Sequence, residues 1–307
     1  MIANKLNYGD TIGVIGVSGS LNCEYTYKDF CKAEQFFINK GFKVKRGKYV
    51  LNDYYGSAGT KEQKAEDMME MFKDKNVKAI ICLYGGQTCN TFIDLLDYKI
   101  IKQNPKIITG YSDVTVILQS IYNKTGLVTF SGPNFLNFAK QDAEERYKEF
   151  ENTFINKKIG KFNSGIKKVI RTGNVEGKLI GTNLGSMMYL LGTEYQPDMQ
   201  DRILAIESYR TSPNECQRRF AMLKQLGVFD KIKGIIIGYN YDLQKNGEVF
   251  PQMEDILLEY TKEYDFPIIK CNDFGHRMAN GVIPIGVNVR IDSDNNKVEV
   301  IDDFLLD

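Results

Sequence analysis

The first half of the chain alternates short apolar segments with segments of helical periodicity, and this alternation limits the fold more than any other feature. Short apolar runs predict buried strands, and amphipathic runs predict helices. Strands that alternate with helices form a parallel sheet with helices on both faces. The predicted strands are Thr11–Val17, Phe42–Val44, Ala79–Leu83, Lys106–Thr109 and Leu127–Phe130, and the predicted helices are Tyr27–Lys40, Thr60–Phe72, Thr91–Leu96 and Asp113–Tyr122.

Two of the predicted strands end in turns that contain glycine. Gly85-Gly86 follows the strand Ala79–Leu83, and Gly110 follows Lys106–Thr109. Both turns are therefore expected at the carboxyl ends of parallel strands, where open α/β sheets bind their ligands.

The periodicity fades between about residues 140 and 174 into a polar, lysine-rich stretch. We interpret residues 1–145 as an α/β domain, 146–172 as a connection and 173–307 as a second, smaller domain. In this second part, strands at Ile203–Ile206, Gly234–Ile237 and Phe266–Ile269 mix with helices. The alternating runs VNVRID and KVEVID near the end predict a hairpin.

The charge balance gives no reason to expect nucleic acid or an anionic membrane as a partner. Lys and Arg total 40 and Asp and Glu total 39, which leaves a formal charge of +1. A balanced charge gives no bias towards nucleic acid or anionic membranes. The N-terminal segment lacks the pattern of a signal peptide, and no run approaches the ~20 apolar residues of a membrane span. We expect a cytoplasmic protein that binds neither nucleic acid nor membrane.

Histidine and cysteine usage limits metal chemistry. The single histidine excludes a histidine-rich metal site, and no loop has the carboxylate spacing of a magnesium or calcium site. We therefore expect no metal and no cofactor. The six cysteines include no C-x-x-C pair and are expected to be buried free thiols.

Ser112 is the candidate nucleophile because an apolar strand runs into Gly110-Tyr111-Ser112-Asp113 and then directly into a helix. Such a turn can project a hydroxyl clear of the sheet, while the backbone N–H of Asp113 faces a developing oxyanion. The match to G-x-S-x-G is partial, since the second glycine is missing. A helix N-cap at Ser112 or Asp113 is the structural alternative.

His276 and Glu207 are the candidate partners of this serine. His276 lies in a glycine-flanked loop, and histidine has the pKa that a general base needs near neutral pH. Glu207 ends an apolar strand, so its carboxylate can orient the imidazole from a strand's carboxyl end. For both residues, a structural or surface role is the alternative.

Gly86, in the Gly85-Gly86 turn, is a second candidate oxyanion donor, because a backbone without side chains can approach a substrate closely. A simple tight turn is the alternative. The glycines at 13, 16 and 19 do not match G-x-G-x-x-G, so no dinucleotide site is predicted.

Four segments together resemble the LD-carboxypeptidase family of serine peptidases, which includes the microcin C self-immunity peptidases. They occur in the family's order and extend over nearly the whole chain. The segments are NPKIITGYSDVTVILQSIYNKTGLVTFSGP from Asn104, GKLIGTNLGSMMYLLGTEYQPD from Gly177, LAIESYRTSPNECQRRFAMLKQLGVFDKIKGIIIG ending at Gly238, and FGHRMANGVIPIGV from Phe274.

The resemblance implies a catalytic triad of Ser112, Glu207 and His276, with oxyanion donors at Gly86 and Asp113. It also implies a flavodoxin-like N-terminal domain with a parallel sheet, a C-terminal domain with its own mixed sheet, and an active site between them. A homodimer is the usual assembly of the family.

The implied reaction is hydrolysis of an amide near the C-terminus of a small peptide, most simply release of D-alanine from a muropeptide tetrapeptide. Many relatives have arginine before the Gly-Gly pair, whereas this chain has Tyr84, which is nearer to the microcin-immunity branch. That branch implies an aminoacyl-nucleotide antibiotic as the substrate. However, the chain lacks the tryptophan and the longer connection of those enzymes. A non-catalytic small-ligand binder is the alternative of another class.

Overall fold

The computed structural model describes residues 1–22, 24–244 and 251–307, and its strands form two main sheets. The strands of the first half are β1 (Ala3–Asn4), β2 (Thr11–Ile15), β3 (Lys43–Arg46), β4 (Val77–Cys82), β5 (Ile107–Gly110) and β6 (Thr129–Ser131). The strands of the second half are β7 (Lys168–Arg171), β8 (Asn174–Asn183), β9 (Arg202–Ser208), β10 (Gly234–Asn240), β11 (Ile268–Gly275), β12 (Ile283–Ile285), β13 (Asn288–Asp292), β14 (Lys297–Val300) and β15 (Leu305–Leu306).

The first sheet has the strand order β12-β6-β5-β4-β2-β3 among the described residues. The five strands from the first half are all parallel. Counted along the chain, their spatial order is 2-1-3-4-5, which is the flavodoxin-like order. The order reverses between β2 and β4, and open α/β sheets bind ligands at the carboxyl ends beside such a reversal. The prediction of a flavodoxin-like N-terminal sheet is confirmed.

The second sheet is mixed and has the order β14-β13-β8-β9-β10-β11-β7. Its centre, from β8 to β11, is parallel, and both edges are antiparallel. The predicted C-terminal hairpin is the antiparallel pair β13 and β14. This sheet positions Glu207 and His276, because Glu207 lies near the end of β9 and His276 comes directly after β11.

The C-terminal part of the chain also returns to the first sheet. Strand β12 joins that sheet by pairing antiparallel with β6, whereas β15 pairs parallel with β1 in a separate two-stranded sheet. Residues from both ends of the chain are thus built into the same half of the molecule, which places the segment after β11 beside the N-terminal sheet.

Several helices begin at side-chain caps that are recognisable in the sequence. Thr60 and Ser212 each form a capping box at the start of a helix, as an acceptor for the N3 backbone N–H. The α-helices are α1 (Tyr27–Asn39), α2 (Lys61–Lys73), α3 (Tyr98–Gln103), α4 (Thr115–Thr125), α5 (Ala143–Phe154), α6 (Leu184–Met187), α7 (Pro213–Gln225), α8 (Tyr241–Gln244) and α9 (Met253–Tyr260).

The predicted helix at Thr91–Leu96 is wrong. This segment forms two short 3₁₀ turns, and the α-helix begins later, at α3. The physical reason is Asp97, whose side chain accepts hydrogen bonds from the backbone N–H groups of Lys99 and Ile100 and so caps the start of α3.

Helix α5 lies where the sequence analysis expected a polar connection, and it runs across the boundary placed at residue 145. Its apolar face is aromatic: Phe150 and Phe154 are buried and contact each other at a ring-centroid distance of 4.9 Å. Phe150 also packs against Phe37 of α1, and Phe154 against Phe130 of β6. The beginning of the expected connection therefore belongs to the core of the N-terminal half.

None of the described helices combines the length and apolar character that crossing a membrane requires. Within the same residues, no group of three or more His, Cys, Asp or Glu side chains converges as metal ligands would. Five cysteines are free thiols, of which Cys31 is half-buried and the others are buried; Cys23 lies outside the described residues.

We predict that Phe150→Ala destabilises the protein by about 3–5 kcal/mol, because it removes a buried ring from the contact between α5 and α1. Urea unfolding followed by circular dichroism measures this loss. Lys148→Ala on the exposed face of α5 is the matched control and should change the free energy of unfolding by less than about 0.5 kcal/mol. Equal, small effects of both substitutions would contradict the packing of α5 against the core.

Candidate active site

Ser112 lies at a strained turn at the carboxyl end of β5. Its φ is +68°, a left-handed conformation that non-glycine residues rarely adopt. A 3₁₀ turn from Ser112 to Val114 follows, and α4 begins at Thr115. A serine held in this conformation between a strand and a helix is the geometry of a nucleophile elbow.

The Gly85-Gly86 turn packs directly against this serine. A Cβ added to Gly85 would lie 3.0 Å from the Ser112 Cβ and 3.1 Å from its Oγ. Gly86 has φ +156°, and a Cβ there would lie 2.5 Å from both the backbone nitrogen of Gly19 and the Ser18 Oγ. Glycine is therefore required at both positions by the close approach of neighbouring groups.

The Asp113 carboxylate ties the strand ends together beneath the turn. Asp113 is 2% exposed, and its Oδ2 accepts hydrogen bonds from the Ser18 hydroxyl at 2.5 Å and the Cys89 backbone N–H at 2.9 Å. Ser18 follows β2, Cys89 follows β4, and Asp113 follows β5. One carboxylate thus fixes three strand ends around Ser112. Burial of the neighbouring Cys89 raises the pKa of its thiol, which keeps that thiol protonated.

A buried lysine supports the segment after Gly86. Lys64 of α2 is 1% exposed, and its ammonium group donates hydrogen bonds to Thr88 O at 3.0 Å and Thr91 Oγ1 at 3.0 Å. Burial lowers the pKa of this ammonium group. Thr88 in turn donates its backbone N–H to Ser18 Oγ at 3.1 Å, so the lysine and Asp113 belong to one polar network under the Gly-Gly turn.

The structure brings Glu207 and His276 into direct contact. Oε2 of Glu207 lies 2.8 Å from Nδ1 of His276, and both residues are buried. The other carboxylate oxygen accepts a hydrogen bond from the Asn183 amide at 2.7 Å. An ionised carboxylate only accepts hydrogen bonds, so Nδ1 donates and the neutral ring has its acceptor at Nε2. Nε2 is buried and has no hydrogen-bond partner within the described part of the chain.

Two tyrosines pack against the imidazole ring. Tyr209 stacks on it with ring centroids 4.6 Å apart and an interplanar angle of 16°. Tyr111, the residue before Ser112, lies 5.1 Å from it. Burial raises the pKa of the Tyr111 hydroxyl. The Tyr209 hydroxyl accepts a hydrogen bond from Arg277 at 3.0 Å, so the residue after the histidine also fixes the stacked ring.

Ser112, Gly86 and His276 line one cavity of about 650 Å³ between the two sheets. Glu207 and Asp113 lie behind its wall, where their carboxylates contact His276 and the strand ends. Since Nε2 has no described partner, the structure does not contain a hydrogen bond from Ser112 to the ring. The predicted residues therefore lie around one site. The Ser112–His276 contact, the catalytic roles of the three residues and the oxyanion donors stay predictions.

Several residues of the site were not predicted from the sequence. Asn183 bonds to Glu207, Tyr209 stacks on His276, and Arg277 bonds to Tyr209. These contacts form only when distant strands come together. Arg146 of α5 also lines the cavity, in the segment expected as a connection. A local signal existed only for Tyr209 and Arg277, which neighbour the predicted pair in sequence.

Comparisons with known proteins identify the family. Residues 12–132 match the LD-carboxypeptidase N-terminal domain, and residues 176–291 match the LD-carboxypeptidase C-terminal domain. The chain belongs to the LD-carboxypeptidase family. This membership supports a carboxypeptidase hydrolase.

Relatives of the chain include both branches that the sequence suggested. The chain is 32% identical over 337 residues to the microcin C7 self-immunity protein MccF of Escherichia coli, covering 99% of this chain and 97% of the relative. It is 28% identical over 298 residues to a Bacillus subtilis protein named "probable murein peptide carboxypeptidase", covering 94% of this chain and 90% of the relative.

Solved structures show the same fold. The structure of MccF in complex with glutamyl sulfamoyl guanosine has a TM-score of 0.88 and 27% identity, and covers 99% of both chains. Muramoyltetrapeptide carboxypeptidase from Oxalobacter formigenes has a TM-score of 0.78 and 23% identity over 94% of this chain and 97% of the other.

We predict that Gly86→Ala lowers the free energy of unfolding by at least about 1 kcal/mol more than Gly56→Ala. Both glycines have positive φ, but a Cβ at Gly56 meets no atom within 4 Å, whereas at Gly86 it meets Gly19 and Ser18. Parallel urea titrations of the two variants measure the difference. Indistinguishable midpoints would show that the close approach at Gly86 is absent.

Proposed function

We propose that the chain is a serine peptidase that hydrolyses an amide near the C-terminus of a small peptide and releases D-alanine from a muropeptide tetrapeptide. The observation that carries this proposal is the contact between Glu207 and Nδ1 of His276, which leaves Nε2 as the acceptor, without a described partner, of a ring that lines the same cavity as Ser112. Family membership supports the reaction class.

The chemistry follows from the positions of these groups. The Ser112 hydroxyl attacks the scissile carbonyl carbon while His276 Nε2 takes its proton. Glu207 stabilises the imidazolium that forms. The carbonyl oxygen becomes an oxyanion, to which the backbone N–H groups of Gly86 and Asp113 donate hydrogen bonds. Each such donor contributes about 100- to 1,000-fold to the rate in known oxyanion holes.

The second half of the reaction reverses these roles. The imidazolium returns the proton to the leaving amine, the C–N bond breaks, and the acyl group stays on the Ser112 oxygen. A water molecule then loses a proton to His276 and attacks the acyl carbon. The bond from that carbon to the Ser112 oxygen breaks, and the imidazolium returns the proton to this oxygen, which regenerates the serine. This sequence needs no metal ion and no cofactor.

A second candidate substrate is an aminoacyl-nucleotide of the microcin C type. It is supported by the similarity to the microcin C7 self-immunity protein over 99% of the chain and by the MccF structure with glutamyl sulfamoyl guanosine. The tyrosines on the cavity wall offer aromatic faces for a nucleobase in a chain that has no tryptophan. In this case the same Ser112 would attack the aminoacyl carbonyl.

Incubation with both substrates, followed by mass spectrometry, tests the proposal. We predict that the native chain releases D-alanine from the tetrapeptide and that Ser112→Ala lowers the rate by at least ~10⁴-fold. Ser120→Ala is the matched control, because the Ser120 hydroxyl is buried in α4, where it donates a hydrogen bond to Val116 O. It should keep its activity.

The other outcomes separate the alternatives. Equal turnover by the native chain and Ser112→Ala would exclude Ser112 as the nucleophile. If the chain cleaves the aminoacyl-nucleotide and not the tetrapeptide, the aminoacyl-nucleotide is the substrate. Tight binding without turnover of either compound would favour a non-catalytic binder.

We also propose that the protein acts in the cytoplasm as a homodimer. Both parts of this proposal come from the resemblance to the family. Light scattering of the purified chain measures the mass that decides the assembly.

A further inference from the structure

One arginine in the cavity wall has a hydrogen-bond donor without a partner. Arg146 is 6% exposed, and its Nε and Nη2 donate to the two carboxylate oxygens of Asp142 at 3.0 and 2.6 Å. Its Nη1 is buried and has no hydrogen-bond partner in the described ranges. A buried donor of a charged group costs free energy when unpaired, and an anionic acceptor would recover it.

This arginine lies on the same cavity as the proposed nucleophile. Ser112, Asn134 and Arg146 all line this cavity. Asn134 accepts a hydrogen bond from the backbone N–H of Tyr111 at 3.2 Å, so the segment that leads to Arg146 is anchored at the residue before Ser112. A substrate that reaches Ser112 therefore lies in the space that this arginine borders.

The ionisable groups of the cavity leave one positive charge unbalanced. Glu24 is paired with Arg277 at 3.0 Å, and Asp142 with Arg146 at 2.6 Å. Lys140 lines the same wall and forms no ion pair with any described residue; its ammonium group lies 4.0 Å from the Tyr25 ring centroid. An excess positive charge beside an unpaired guanidinium donor attracts an anion and orients it.

We propose that Arg146 and Lys140 form an anion subsite that binds the terminal carboxylate of the substrate. This inference rests on the proposed function, since a carboxypeptidase must recognise the free end of its peptide. Nη1 has almost no surface open to solvent, so contact with the carboxylate requires a small rotation of the guanidinium. Asp142, whose side chain is 35% exposed, can follow that rotation.

Ligand binding to the Ser112→Ala chain tests the subsite without turnover. Isothermal titration calorimetry compares the muropeptide tetrapeptide with its C-terminal carboxamide. We expect the free acid to bind about 10- to 100-fold more tightly than the amide, which corresponds to one or two charge-assisted hydrogen bonds. When Arg146→Gln or Lys140→Met is combined with Ser112→Ala, the ratio of the amide's Kd to the acid's Kd should fall by at least about threefold.

The design includes its own controls for folding. Affinity for the carboxamide should stay unchanged in the variants, because the amide cannot use the subsite as an anion. Lys148→Met, an exposed lysine of α5 outside the cavity, should keep the full preference for the acid. Since Arg146 is buried and its replacement can unfold α5, the exposed Lys140 provides the second, independent variant.

A second pair of ligands separates the sources of the anion. AMP and adenosine differ by a phosphate, and a preference for AMP that depends on Arg146 or Lys140, without a preference for the acid, would make phosphate the natural anion of the subsite. No preference in either pair, or a preference that survives both substitutions, would overturn the subsite. If the Ser112→Ala chain prefers the acid but the native chain does not hydrolyse the tetrapeptide, the proposed reaction fails and the subsite stands.

Discussion

The site depends on one buried hydrogen bond, the contact between the Glu207 carboxylate and Nδ1 of His276. Burying a carboxylate is costly unless its oxygens are paired. Here Asn183 and His276 each occupy one oxygen, at 2.7 and 2.8 Å. The pairing fixes which ring nitrogen carries the proton, and the stack with Tyr209 fixes the plane of the ring. The chemistry proposed for Ser112 requires both.

Each of the two sheets supplies part of the site. The C-terminal sheet carries the glutamate–histidine pair at the ends of β9 and β11, and the N-terminal sheet carries Ser112 at the end of β5. The strained turn at Ser112 persists because the surrounding structure holds it, through the Asp113 carboxylate and the Lys64 network below the Gly-Gly turn. Strain at this turn is therefore maintained by hydrogen bonds of the next residue, Asp113, and of Lys64 in the adjacent network.

The sequence predicted the parts of the fold and site that depend on local patterns. Alternating apolar and amphipathic runs predicted the parallel sheet, and Gly110-Tyr111-Ser112 predicted the turn, because strand periodicity and turn residues act over a few positions. Helix α5 was missed because charged residues separate its apolar ones within a polar stretch. The apolar residues do recur at helical spacing (Ala143, Tyr147, Phe150 and Phe154), but their packing against distant rings is seen only in the folded chain.

Other contacts lay beyond local patterns altogether. The G-x-S-x-G match was partial, but nothing nearby showed that Asp113 would bind Ser18 and Cys89, which lie 95 and 24 positions away. The resemblance to a family grouped Ser112, Glu207 and His276 as one predicted triad. Their spacing in the sequence alone could not predict that grouping. The unpaired donor of Arg146 is a property of packing, and only the folded chain shows it.

The most direct test of this account is a double-variant cycle on the buried pair. If Glu207 acts only through His276, Glu207→Gln should slow the native enzyme by about 10³- to 10⁴-fold but change the residual rate of His276→Ala by less than about twofold. A loss by the same factor in both backgrounds would mean that the two residues act independently, and would contradict the catalytic pair on which the proposed function rests.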